Sequence, residues 1–208
     1  MERERPSLSQ RINYRLGYCN LALIAVNVIV FFILSWMGDT EDAYFMLEHG
    51  AMHPTLVIDG GEWYRLFTCM FLHFGFEHLL NNMIILACIG NYLERTMGHA
   101  KYVILYFIAG IIGNIGSLYV SVLSQELAVS AGASGAIFGV IGGLLWVVIR
   151  HKGHLENLST KGLLIMIILS LYFGFTSSGV DNTAHVAGLI GGFVCAVILY
   201  RKSSRYRL

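Results

Sequence analysis

An all-α, polytopic bundle of six membrane-spanning helices is the architecture this sequence predicts, and three observations predict it. Of the 208 residues, 56% are hydrophobic and 13% charged, against about 25% charged in soluble domains. The mean hydropathy is +0.64. Six apolar stretches approach the roughly 20 residues that a spanning helix needs, and the basic residues fall almost entirely on one side of them.

The stretches run over 20–37, 78–93, 102–123, 134–149, 162–175 and 184–200. The first is too long for the apolar part of a signal peptide and lacks a small-residue cleavage site after it, so it stays as a helix. A long connection follows, about 38–73. It carries His49, His53, Pro54, Trp63, Tyr64 and scattered acids, which suits an interfacial segment lying in one leaflet. The second stretch opens on His78 and Asn82, the fourth on Ser134 and the sixth close to His185. The fourth and fifth are the shortest. No stretch alternates with period two, which speaks against a lipid-facing β-barrel. The chain reads as one membrane domain, 20–200, between two short tails, 1–19 and 201–208.

Orientation follows from the basic residues. Arg3, Arg5, Arg11 and Arg15 precede the first stretch, and Arg95 and Lys101 separate the second from the third. Arg150, Lys152 and Lys161 separate the fourth from the fifth, and Arg201, Lys202, Arg205 and Arg207 follow the sixth. Thirteen of the 14 therefore share one side, with Arg65 the exception. The positive-inside rule makes that side the cytoplasm, N-in and C-in. The opposite connections carry Asp39, Glu41, Asp42, Glu48, Asp59, Glu62, Glu126 and Asp181. A net charge of +1 with no basic patch excludes nucleic acid as an expected partner. The four cysteines (19, 69, 88, 195) have no close spacing and read as apolar residues, not as a disulfide framework or zinc site. No cofactor and no metal is expected.

Polar side chains at membrane depth are costly and therefore candidates for function. In the N-in topology the second, fourth and sixth stretches all begin at the outer face. His78 and Asn82, Ser134 and His185 thus meet at one level. Gly135, Gly139 and Gly143 recur every four residues along the fourth stretch, and His185, Gly188 and Gly192 share a face of the sixth. Two glycine-lined helices pack with their backbones nearly touching, which brings a short serine within reach of an imidazole. Serine becomes a nucleophile when a base takes its proton, and imidazole is the usual base near neutral pH. The oxyanion that forms needs preorganised donors. Unpaired N–H groups at the start of the fourth helix, together with His78 and Asn82 one turn apart, supply them.

These residues form motifs that resemble the rhomboid family of intramembrane serine proteases in its small six-helix bacterial form. The motifs are Gly132-Ala133-Ser134-Gly135, Ala184-His185-Val186-Ala187-Gly188, and His73, His78 and Asn82 in the spacing H-x4-H-x3-N. Gly90, Glu94 and Gly98 match a G-x3-E-x3-G element, and Trp63 to Arg65 resembles an element of the family's first loop. The resemblance covers nearly the whole chain. It implies Ser134 as nucleophile and His185 as general base, with His78, Asn82 and the backbone N–H groups of Ser134 and Ala133 as the oxyanion hole. Phe138 takes the position of an aromatic under the imidazole, where relatives commonly have Tyr. His73, Glu94, Arg65, Gly188 and Gly192 are implied as structural. The expected partners are transmembrane protein substrates and the lipid bilayer. The expected location is a bacterial inner membrane, with the active site opening outward.

Two other classes compete. His73, His78 and His185 near helix ends would suit a membrane haem protein, which leaves Gly132–Gly135 and Asn82 unexplained. A non-catalytic relative that only binds transmembrane helices would have no use for both Ser134 and His185. Asp181, four residues before His185, is a further candidate as the acid of a triad.

Overall fold

The computed structural model describes residues 17–177 and 179–201. The tail arginines 3, 5, 11 and 15, and Lys202, Arg205 and Arg207, lie outside the described residues. The described residues are mostly helical: α1 Tyr18–Met37, α2 Ala43–Glu48, α3 Pro54–Ile58, α4 Arg65–Thr68 with a 3-10 turn at Cys69–Phe71, α5 Gly75–Met97, α6 His99–Ser124, α7 Ser134–Arg150, α8 Thr160–Thr176 and α9 Asn182–Leu199. Between α7 and α8, β1 His154–Leu155 and β2 Leu158–Ser159 pair antiparallel as a small hairpin.

Each of the six apolar stretches is a helix. Three of them, α1, α6 and α9, are long and apolar enough to cross a membrane. The segment 65–71 with α5 makes a fourth candidate, bent by 90°. The remaining two, α7 and α8, are apolar helices of 17 residues, about 26 Å at 1.5 Å per residue. That is slightly less than the roughly 30 Å hydrocarbon core. The protein is an integral membrane protein. α5 outruns its apolar stretch at both ends because an apolar window stops at charged residues while a helix does not. Glu77 sits in its first turn and Arg95 in its last, each favoured there by the helix dipole.

α7 is the centre of the bundle. Every residue from Gly135 to Leu144 is buried, as expected of a helix that is apolar all round. Its closest neighbour is α9. A Cβ on Gly188 would lie 2.1 Å from the Gly135 carbonyl oxygen, and one on Gly192 2.0 Å from that of Gly139. From the other side, a Cβ on Gly142 would meet the Leu189 carbonyl oxygen at 2.1 Å. These helices touch backbone to backbone, and only glycine permits it. α6 closes the third side, where a Cβ on Gly113 would come within 2.8 Å of the Ala184 carbonyl oxygen. α8 is peripheral; along its length only Leu163, Ile167 and Gly174 are buried.

Two polar devices hold the frame at its ends. The start of α1 has no cap of its own. Its Cys19 and Asn20 N–H groups donate to the Glu94 carboxylate at 3.0 and 2.7 Å, and the Gly17 N–H donates to Asn91 Oδ1 at 3.1 Å. The last turns of α5 thereby satisfy donors that the first turn of α1 leaves over. At the opposite end, Arg65 is buried under the connection 38–74. Its guanidinium donates to the carbonyls of Leu47 (2.6 Å) and Ala51 (2.8 Å) and to the Glu62 carboxylate (2.6 Å). A two-way backbone bridge between Met52 and Ser130 then joins this connection to the segment ahead of α7.

Candidate active site

Ser134 is the first residue of α7, and the chain reaches it through a tightly held approach. The Gly132 N–H donates to the Cys69 carbonyl at 2.9 Å, and the Ala133 N–H faces Nε2 of His73 at 3.4 Å. Gly132 has φ +144, open to glycine and rarely to other residues. A Cβ there would fall 2.9 Å from Cε1 and 3.0 Å from Nε2 of His78, and 3.7 Å from Ser134 Oγ. The His78 imidazole and the Ser134 hydroxyl therefore border the same small space, and Gly132 keeps it open.

α5 supplies the other polar groups. His73, just ahead of it, is almost wholly buried at 1% exposure, and its ring meets that of His78 edge-on at 5.1 Å. Asn82 is buried one turn after His78 and donates one N–H to the His78 carbonyl at 2.8 Å. An amide has a second N–H, which that bond leaves available.

His185 is buried in the first turn of α9. Its ring stacks on Phe138, one turn along α7 from Ser134, with ring centroids 4.2 Å apart and planes 13° from parallel. Gly135, the neighbour of Ser134, packs on Ala184, the neighbour of His185. Glycine contacts thus bring the two helix starts together, and the aromatic ring fixes the imidazole plane. Nδ1 of His185 is buried with no hydrogen-bond partner among the described residues.

Asp181 does not bond to that nitrogen. One carboxylate oxygen accepts the Ala184 N–H at 2.9 Å, and the other accepts the hydroxyls of Ser117 (2.5 Å) and Ser130 (2.8 Å). These bonds go to groups other than the ring, so the triad arrangement is not formed here. The two serines carried no signal in the sequence, because a lone serine in a helix or loop is most often a small residue. Glu94 and Arg65 lie apart from this cluster, at the frame positions already described, while Gly188 and Gly192 lie along the α7–α9 seam next to it, Gly188 against Gly135. Away from this cluster, and among the described residues, Cys19, Glu94 and His99 bring metal-type ligand atoms within 4.8 Å of one another. The Glu94 carboxylate is already engaged by two N–H groups of α1 and by the His99 ring.

The family profile described as "Rhomboid domain" matches residues 60–202. Among similar proteins, "Rhomboid protease GluP" of Bacillus subtilis (strain 168) is 38% identical over 176 residues, 85% of this chain and 34% of that protein. "RHOMBOID-like protein 5" of Arabidopsis thaliana is 41% identical over 152 residues, 72% of this chain and 48% of that protein. "Putative rhomboid protease YdcA" of Bacillus subtilis (strain 168) is 35% identical over 150 residues, 72% of this chain and 74% of that protein. The chain thus spans less than half of the first two relatives and about three quarters of the third. The matched segment contains α5 to α9 and every residue of the cluster around Ser134 and His185, and the chain belongs to the rhomboid family.

Proposed function

We propose that this chain is an intramembrane serine endopeptidase that hydrolyses peptide bonds of transmembrane protein substrates near the outer face of the membrane. The observation that carries the reading is the joint start of α7 and α9. There His185 stacks on Phe138 one turn from Ser134, and His78 borders the space beside Ser134 Oγ.

In this reading His185 removes the proton from Ser134 Oγ as it attacks the scissile carbonyl. The carbonyl oxygen takes the negative charge of the tetrahedral intermediate. His78, the second N–H of Asn82 and the backbone N–H of Ser134 are the donors for it. The Ala133 N–H, already facing His73, joins them if that long contact yields. The imidazolium then protonates the leaving amine, and water, activated by the same imidazole, releases the acyl group from Ser134. The name of the relative "Rhomboid protease GluP" supports the same chemistry.

The remaining parts of the proposal follow from charge and packing. Six spans with both tails in the cytoplasm put the Ser134 end of α7 outward, and the tail boundaries at 1–19 and 201–208 go with that topology. A bacterial inner membrane suits it. Substrate helices reach the site beside α8, the least buried of the six long helices, along the apolar groove that Phe175, Thr183, Val186 and Ile190 line.

The test is cleavage of a transmembrane substrate by purified protein in detergent or proteoliposomes. Ser134→Ala is expected to abolish it, and cleavage retained by that variant would reject the role of Ser134. Covalent labelling of Ser134 by a fluorophosphonate, lost in His185→Ala, separates a hydrolase from a protein that only binds helices.

A further inference from the structure

Capping of α9 explains only half of what the Asp181 carboxylate does. Its Oδ1 accepts the Ala184 N–H, an ordinary N-cap bond. Its Oδ2 accepts two hydroxyls from two other elements, Ser117 of α6 and Ser130 of the segment leading into α7. Neither is needed to start a helix. Ser130 stands four residues before Ser134, and Asp181 stands four residues before His185. The backbone of Ser130 is fixed in turn by Met52, with N–H to carbonyl distances of 2.9 Å in both directions.

We propose that Asp181 is a positioning residue: through Ser130 it clamps the approach to Ser134 onto the first turn of α9, and so sets the spacing between Ser134 and His185. The proposal rests on the reading of those two residues as nucleophile and base. Glycine contacts fix how closely α7 and α9 approach, but glycine surfaces are smooth and leave sliding along the helix axes less restrained. A directional bond from a hydroxyl to a carboxylate restrains that sliding, and hydrogen bonds to an ionised group are about twice as strong as neutral ones. Placing a carboxylate near the membrane is costly, and three donors from three elements compensate for it. The side chain is spent on this clamp, which is why it does not reach Nδ1 of His185.

A small fluorophosphonate reports on the alignment of Ser134 and His185 without needing a substrate to bind, and it is the probe for the test. Labelling rate is measured alongside kcat, KM and unfolding temperature for the full chain in detergent. Asp181→Ala is expected to slow labelling and kcat by on the order of 10–100-fold with KM little changed, as misalignment of reacting groups does. Asp181→Asn keeps an acceptor for the Ala184 N–H and offers an N–H to Ser130 Oγ, and is expected to recover most of the rate. Ser130→Ala is expected to slow labelling, and Ser130→Ala with Asp181→Ala to be no slower than Asp181→Ala alone. Ser117→Ala is expected to lower the unfolding temperature with a smaller effect on rate. Ser130→Ala carries the test should Asp181→Ala not fold. Labelling at the unsubstituted rate in Asp181→Ala or Ser130→Ala would overturn the clamp alone. So would Asp181→Asn falling as far as Asp181→Ala at unchanged unfolding temperature, since that outcome assigns the effect to charge. No labelling of the unsubstituted chain would instead reject the reading of Ser134, and this role with it.

Discussion

The imidazole of His185 lies flat on the ring of Phe138, with centroids 4.2 Å apart and planes 13° from parallel. Flat stacking fixes the plane of the imidazole while leaving its ring edge, where proton transfer occurs, open. No described residue bonds to Nδ1, so the contact with Phe138 is what orients the ring. Phe138→Leu keeps an apolar side chain and removes the stack. Stacked aromatic pairs contribute about 0.5–1.5 kcal/mol beyond their buried area, so kcat is expected to fall roughly 2- to 10-fold. Phe138→Tyr preserves the stack and is expected to stay near the unsubstituted rate. Equal cleavage rates for Phe138→Leu and the unsubstituted protein would show that stacking does not matter.

The glycine seam between α7 and α9 gives a sharper effect, because what blocks a side chain there is backbone. A methyl group at Gly192 meets the Gly139 carbonyl at 2.0 Å, and one at Gly188 meets the Gly135 carbonyl at 2.1 Å. Neither oxygen can swing aside as a flexible side chain would. Gly192→Ala is expected to cost about 3 kcal/mol, at the upper end of the usual range for overpacking, and to lower the unfolding temperature in detergent. Gly188→Ala is expected to add a loss of activity, since it lies one turn after His185. As a control, Gly61→Ala has nothing within 4 Å of its new methyl group, and only the strain of φ +71 remains there.

Why some of this was legible in the sequence and some was not follows from what each signal depends on. The six helices were readable because apolar length is a property of a local window. That the starts of α5, α7 and α9 share one level was an expectation the sequence could raise, because charge on the connections orders the helices. The Gly188 and Gly192 face was readable because helical spacing puts these residues on one side. What escaped depends on tertiary contact. Ser117 and Ser130 meet Asp181 from 64 and 51 residues away in sequence, and no local pattern connects them. The engagement of Ala133 with His73 escaped for the same reason. The charged ends of α5 were lost to a different cause, since an apolar window cannot see a helix continue through Glu94 and Arg95.

Glu94 predicts a loss of stability separable from chemistry. Its buried carboxylate accepts two N–H groups at the start of α1, and α1 offers no cap of its own. Glu94→Ala leaves both donors unsatisfied, at about 1–3 kcal/mol for each such buried group. Glu94→Gln keeps one acceptor oxygen and is expected to fall between the two. Both variants are expected to unfold at lower temperature while the folded fraction labels at Ser134 normally. Loss of labelling in folded Glu94→Gln would contradict a purely structural role.

The connection 38–74 carries a pH dependence whose sign can be worked out. The Tyr64 hydroxyl, first, and the Arg65 guanidinium, second, hold the Glu62 carboxyl below the usual carboxylate range; the bonds are 2.7 and 2.6 Å. A lowered value in the folded state means that the unfolded chain takes up the proton more readily. The stabilisation is therefore complete above the ordinary carboxylate value and disappears as pH falls through the lowered one. Acid is expected to release Glu62 from Arg65, while the bonds of Arg65 to the Leu47 and Ala51 carbonyls persist. Unfolding temperature measured against pH is expected to drop on the acid side for the unsubstituted protein and to stay flatter for Glu62→Gln, the two curves converging in acid. Tyr64→Phe removes the larger cause and is expected to shift the acid limb toward higher pH. Arg65→Ala is expected to be far more damaging at every pH, because it strips the donor from the buried Ala51 carbonyl and the part-buried Leu47 carbonyl. Parallel acid limbs for the unsubstituted protein and Glu62→Gln would place the sensitivity on another group.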